Sequence, residues 1–422
     1  MDEKIKEVIT NKNVHNTLIV AVGTLLGSFF SYLSQLILGR ILSVPDYGTF
    51  TALLSFSSIL GVPGVVFGIS VVKRVAEYTA KGDRAMISKM FKSLSLWTLL
   101  SGLVIFVFLF FYTNTLSMKL NIHDNTALII FAVFTGLSFF SIIPVSFIQG
   151  LMYYKRWALF TVATGFTRMA LCVLPAYFGF GVAGIFFGFT LNVFFGYLIS
   201  LFILSKIFSG EKAPGVTAEY KKLMTFGIAT LFVYLCLTSL NNIDMVLVKK
   251  FFDGQEVGYY AGAVTVGKIF LYGSTAIATI MFPTITALYA RKKNFNSQLK
   301  QLFIIQLLFI LCGLFIFEVF PVQVTTLFFG KAFINSVPFL RVYSLFVACF
   351  ILVNFLVIFL LAIEKTKSWL ILLPGAFLQF ILILYYRDSI FQVIYAGIIS
   401  CLLITVALFI YLYFVLRKLK FS

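Results

Sequence analysis

Gly39-Arg40-Ile41-Leu42-Ser43-Val44-Pro45-Asp46-Tyr47-Gly48-Thr49-Phe50 is answered 210 residues later by Lys249-Lys250-Phe251-Phe252-Asp253-Gly254-Gln255-Glu256-Val257-Gly258-Tyr259-Tyr260. A base, apolar residues, an acid, a glycine and an aromatic recur at matching places. Each copy lies in a short polar break between long apolar stretches, and the offset is half of the 422-residue chain. The pattern implies a membrane protein of two similar halves, an arrangement that many carriers build around a cavity.

Composition puts most of the chain in lipid. Hydrophobic residues make up 61% and charged residues 11%, where a soluble domain carries about 25% charged residues. Phe alone fills 52 positions, and a soluble fold of this size would expose too much apolar surface to stay dispersed. Cys172, Cys236, Cys312, Cys349 and Cys401 all fall in apolar runs without metal-ligand or redox spacing, so they read as small core hydrophobes. His15 and His123 are far apart, and neither a metal nor a cofactor is expected. The first apolar run is too long for a cleavable signal peptide and reads as a span.

A bilayer core about 30 Å thick needs about 20 apolar residues per helix. By that rule twelve spans are expected, near 16–38, 47–70, 93–113, 127–150, 159–178, 182–205, 223–248, 259–289, 302–320, 341–362, 369–386 and 391–416. The fold class is therefore all-α and polytopic, with twelve helices in two six-helix lobes around a central cavity. Residues 1–208 form the N-terminal lobe and 209–422 the C-terminal lobe, joined through the break from Lys206 to Lys222 with its Pro214 and Gly215. The break from Val71 to Lys92 reads as an amphipathic segment on the membrane surface.

The bases set the orientation. One set of alternate breaks holds 24 of the 33 Lys and Arg residues, including Lys73, Arg74, Lys81, Arg84, Lys89 and Lys92. The other set holds seven: Arg40, Lys119, Lys249, Lys250, Lys331, Arg341 and Arg387. The positive-inside rule then places both termini in the cytoplasm of a multi-pass cell-membrane protein. The net charge of +18 is mostly this bias, with anionic lipid headgroups as its partners. It is not read as nucleic-acid binding.

Two bases remain inside spans, Arg168 and Lys268, and Asp244 lies late in the seventh. A charge at the bilayer centre costs at least about 2.5 kcal/mol on insertion scales, so each must face protein, water or a ligand. Two readings stand for Lys268: pairing with Asp244, or contact with an anionic substrate in a cavity. Arg168 has no obvious acid at its depth, and a guanidinium grips phosphate in two places. Arg40 and Lys250, related by the repeat, are interface anchors or a basic rim at the outer mouth. Asp244 is also the candidate for coupling to a proton or sodium ion. Gln35, Asn192, Asn241 and Asn242 are polar residues within spans that serve as interhelical glue or line a sugar path.

These residues resemble a known family. Leu38 to Phe50, Asn242-Ile243-Asp244 through Val257-Gly258-Tyr259-Tyr260-Ala261-Gly262-Ala263, Gln149-Gly150 through Lys155, and Leu360 through Lys367 look like the corresponding segments of Wzx-type oligosaccharide flippases. That family lies in the superfamily that also holds MATE exporters and MurJ lipid II flippases. The resemblance covers essentially the whole chain. It implies a V-shaped pair of six-helix lobes and a polyprenyl-pyrophosphate-linked oligosaccharide moved to the outer leaflet by alternating access. It also implies a cationic cavity, which Arg168 and Lys268 would supply here, and a polysaccharide polymerase and glycosyltransferases as pathway partners.

Twelve spans rather than fourteen argue against the MurJ branch. A MATE-like drug or cation antiporter is the alternative, although it would favour acids where this chain offers bases. A membrane polymerase, ligase or glycosyltransferase needs outer acids or histidines for general-base chemistry, and the outer breaks hold few. The protein is therefore expected not to be an enzyme.

Overall fold

The computed structural model describes residues 12–205 and 217–418, and the described residues are helical throughout apart from short turns. In chain order the helices are α1 (Lys12–Ile41), α2 (Val44–Lys81), α3 (Arg84–Leu120), α4 (Asn125–Gly150), α5 (Tyr154–Tyr177), α6 (Gly181–Leu204) and α7 (Thr217–Leu240). They continue with α8 (Ile243–Phe251), α9 (Gly254–Ala290), α10 (Asn296–Val319), α11 (Pro321–Phe329), α12 (Val337–Ala362), α13 (Trp369–Tyr385) and α14 (Ile390–Lys418). Among the described residues, eleven helices or helix runs are long and apolar enough to cross a membrane, and twelve if α7 and α8, bent by 43° at their junction, are one span.

Helix ends follow local chemistry. The Ser43 hydroxyl accepts the Asp46 backbone N–H and donates to the Asp46 carboxylate, which fixes the start of α2. The Asp83 carboxylate caps α3 by accepting from the Met86 N–H, and that of Asp124 caps α4 through the Ala127 N–H. Such caps satisfy donors that have no partner in the first turn.

The residues between Val71 and Lys92 do not form the separate surface element expected from the sequence. They are the ends of two long helices, α2 of 38 residues and α3 of 37, joined by a tight turn at Gly82-Asp83. At 1.5 Å per residue each exceeds 50 Å and outruns the hydrocarbon core. Val71, Val75, Ile87, Met90, Phe91 and Leu94 form a buried cluster with Ile143, Phe147 and Ile148 of α4. The apolar stripe therefore faces helices. The stretch from Pro321 to Leu340 is not a plain break either, because it carries α11 and a 3-10 turn at Lys331–Ser336. Most of the expected lobe linker, 206–216, lies outside the described residues, as do the terminal bases of residues 1–11 and Lys420.

The chain forms two compact units. The first runs to Leu42 and resumes over Gly61–Ile228; the second comprises Ser43–Leu60 and the chain from Ala229. In the first unit, Gly23 and Gly27 of α1 lie against Ala158 and Thr161 of α5. A Cβ on Gly23 would stand 2.6 Å from the Ala158 Cβ. Small residues four apart let helices approach closely where lipid provides no hydrophobic drive.

The second unit takes in Ser43–Leu60, although these residues precede the expected 208/209 boundary, because the two copies of the repeated segment pack against each other there. A Cβ on Gly48 would lie 2.8 Å from the Gly258 backbone nitrogen, and one on Gly258 would run into the Val44 carbonyl. One turn before Gly48, Pro45 meets Gly254. Beside this crossing the fully buried Tyr47 donates its hydroxyl to Thr265 Oγ1 at 2.9 Å. Its ring meets Phe329 of α11 and Phe333 of the 3-10 turn edge-on at 5.3 and 5.5 Å.

The glycine crossing has a measurable consequence. Gly258→Val is expected to cost about 1–3 kcal/mol through overpacking against backbone atoms that cannot move aside. Gly61→Ala, where an added Cβ would meet nothing within 4 Å, is expected to leave the melting temperature unchanged or raised, since Ala favours helix. Thermal unfolding in detergent reads both. Equal stability of Gly258→Val and wild type would remove the tight crossing.

Candidate functional site

Each unit carries a polar constellation inside its spans. In the first, a Cβ on Gly188 of α6 would collide with the backbone of Leu171 on α5, so the two antiparallel helices run close. One turn along each helix, the Thr167 hydroxyl donates to Asn192 Oδ1 at 2.8 Å. The neighbouring Arg168, half-buried, holds its guanidinium carbon 4.5 Å from the centroid of the Phe189 ring. Phe189 in turn packs on Phe134 and Phe186. A cation on an aromatic face is stabilised by about 0.5–2 kcal/mol, more as water is removed. The sequence offered Arg168 and Asn192 as separate candidates, and the α5–α6 crossing brings them to one site.

In the second unit the constellation forms around a break in a helix. Asn241-Asn242 separates α7 from α8, so the last carbonyls of α7 lose their intrahelical donors. In hydrocarbon each such group costs several kcal/mol if left unsatisfied. Side chains take over. The Asn242 amide donates to the Thr238 carbonyl at 2.9 Å. Gln379, fully buried on α13, donates its amide to the Leu240 carbonyl at 3.2 Å.

Asn242 also holds a charge. Its Oδ1 accepts from Lys268 Nζ of α9 at 2.9 Å. Asp244, in the first turn of α8, accepts from the buried Tyr260 hydroxyl. A carboxylate there is also favoured by the positive end of the helix dipole. Asp244 and Lys268 interact electrostatically, but the lysine's hydrogen bond goes to a neutral amide and Asp244's to a phenol. Three buried acceptors around the break, Asn241 Oδ1, Asp244 Oδ1 and Gln379 Oε1, make no hydrogen bond among the described residues.

The remaining candidates lie elsewhere. Arg40 is exposed at the end of α1, and Gln35 is half-buried earlier on the same helix. Lys250 is exposed at the end of α8 with its ammonium 5.0 Å from the Phe251 ring centroid. Its neighbour Lys249, which counts as a flanking base by sequence, is buried. Tyr260 and Gln379 complete the site; the sequence marks Gln379 as a polar residue within a span and Tyr260 as part of the repeat, but assigns neither to it. Tyr260 belongs to the repeated segment, and Gln379 is a lone amide in an apolar run; only their partners distinguish them. Among the described residues no cluster of His, Cys, Asp and Glu could hold a metal ion.

Comparison with solved structures places the fold. An inward-facing multidrug-resistance MATE-family transporter of the MOP superfamily superposes with a TM-score of 0.72 at 12% identity, over 93% of this chain and 96% of the other. An inward closed form of the lipid II flippase MurJ gives 0.73 at 13%, over 94% and 87%. A MOP superfamily transporter from Pyrococcus furiosus, described as having a binding pocket of reversed polarity, gives 0.62 at 14%, over 94% and 95%. At these identities the likeness shows a shared fold, the multi-span helical fold of the MOP superfamily. No curated protein gives a match to the chain. The sequence model of a family described as polysaccharide biosynthesis protein matches residues 14–289. With its repeated segments on this frame and that match over most of its length, the chain belongs to the polysaccharide biosynthesis protein family.

Proposed function

We propose that the protein is a flippase that moves a polyprenyl-pyrophosphate-linked oligosaccharide from the cytoplasmic to the outer leaflet of the cell membrane by alternating access, with both termini in the cytoplasm and no bond made or broken. The family match over residues 14–289 on a many-span transporter fold carries this reading. The half-buried bases inside the spans support it. Lys268 makes its hydrogen bond to the neutral Asn242 and interacts electrostatically with Asp244, so a travelling pyrophosphate would compete with Asp244 for its charge. Arg168 lies over an aromatic face, and a guanidinium is the side chain suited to bidentate phosphate binding. Arg40 and Lys250, each exposed near the end of its own helix, would offer further positive charge to the pyrophosphate, while Asn192, Asn241, Asn242 and Gln35 would offer amides to sugar hydroxyls. Glycosyltransferases would supply the substrate and a polymerase would consume it.

The test is leaflet-resolved accessibility of a lipid-linked oligosaccharide in reconstituted vesicles. Arg168→Ala and Lys268→Ala are each expected to slow flipping by at least about tenfold, the loss of one charge-assisted contact of roughly 1.4 kcal/mol or more. Normal flipping by both variants would remove the assignment of these bases to substrate. A drug-efflux phenotype without flipping would favour the MATE-like antiporter instead.

Asp244 is the proposed coupling residue. The three acceptors without donors near it suit a proton or a sodium ion, both of which bring positive charge to oxygen. An imposed gradient of the coupling ion is expected to accelerate flipping by wild type, and Asp244→Asn is expected to lose that acceleration while flipping at its ungraded rate. An unchanged gradient response in Asp244→Asn would sink the coupling role.

A further inference from the structure

Outside these constellations, one aromatic ring carries two positive charges. Lys250 Nζ lies 5.0 Å and Arg387 Cζ 4.5 Å from the centroid of Phe251. The ring ends α8, and Arg387 comes from the turn between α13 and α14. Both cations are exposed. Sharing one centroid confines them to within 9.5 Å of each other, the sum of the two distances.

Like charges gathered this way repel. The usual remedy, an interleaved carboxylate, is not used: neither base forms an ion pair among the described residues, although Asp253 and Asp388 are close in sequence. The arrangement is also built from separate parts of the chain. Phe251 orients an ammonium from its own helix and a guanidinium from a distant turn, by the attraction of cations for an aromatic face. Two exposed tyrosines, Tyr385 and Tyr386, precede Arg387. Tyrosines in such positions mark the depth of lipid headgroups.

We propose that Lys250, Arg387 and Phe251 form a phosphate-binding site at the membrane interface. The Arg387 guanidinium can take two phosphate oxygens in a bidentate fork, and the Lys250 ammonium, no more than 9.5 Å from it, adds electrostatic attraction. The ligand is a phosphate group, carried either by an anionic phospholipid headgroup or by a soluble diphosphate. Lys250 is also among the bases proposed for the substrate, so the test reads binding rather than transport, and its failure leaves the flippase reading standing.

The experiment uses the full chain in detergent, with fluorescent phosphatidylglycerol and phosphatidylcholine as probes and inorganic pyrophosphate as competitor. Wild type is expected to prefer phosphatidylglycerol. Arg387→Gln, Phe251→Leu and the double variant Lys250→Gln/Arg387→Gln are each expected to weaken that binding by about tenfold or more. Lys81→Gln, an exposed base at the opposite end of α2, is expected to leave it unchanged. Arg387 lies in an exposed turn, so its variant should melt as wild type does without lipid, which separates lost binding from lost fold. Competition by pyrophosphate would support a site for free phosphate. Loss in the variants without such competition would support a lipid headgroup. Unchanged preference in Arg387→Gln and the double variant, or an equal loss in Lys81→Gln, would overturn the proposal.

Discussion

The fold of the second unit depends on how closely two helices can approach at Gly48 and Gly258. Neither position has room for a side chain, because each faces the other segment's backbone. That absence lets the starts of α2 and α9 touch, brings Tyr47 within hydrogen-bonding reach of Thr265, and seats Phe329 and Phe333 on the Tyr47 ring. Lipid tails are as apolar as leucine, so such contacts hold by fit and by interhelical hydrogen bonds. The same device recurs in the first unit, where Gly27 and Gly165 approach along α1 and α5, and Gly188 along α5 and α6.

Around these crossings the second constraint is that no backbone group can turn to water. The break between α7 and α8 meets it with two borrowed amides. Asn242 and Gln379 satisfy the carbonyls that the broken helix releases, and Asn242 spends its remaining acceptor on Lys268. The hydrogen bond that holds Lys268 thus comes from an irregularity in a neighbouring helix. A straight span over residues 223–248 would have kept those carbonyls within the helix.

Much of this was legible in the chain. Apolar runs of about 20 residues predict the spans because the bilayer sets their length, and α9, α12 and α14 fall where expected. The repeat at an offset of 210 pointed to the segments that now pack together. Other features were not readable. Hydropathy cannot see a bend of 43° at two asparagines, because a bent span and a straight one have the same composition. Val71–Lys92 read as amphipathic, but whether such a stripe faces lipid or helices is decided by what packs on it, here α4. Nothing in the spacing joined Thr167 to Asn192 or Gln379 to Leu240, which are 25 and 139 residues apart.

By itself the sequence determined the solvent of the chain, the approximate number and places of its spans, its duplicated plan and the few residues that carry charge into lipid. These are consequences of transfer energies that each residue brings wherever the chain folds. The tertiary structure decided the partners: an amide rather than the carboxylate for Lys268, a phenol for Asp244, an aromatic face for Arg168, and the burial of Lys249 against the exposure of Lys250. A charge in lipid must find some partner, but which one lies within 3 Å depends on how distant helices cross.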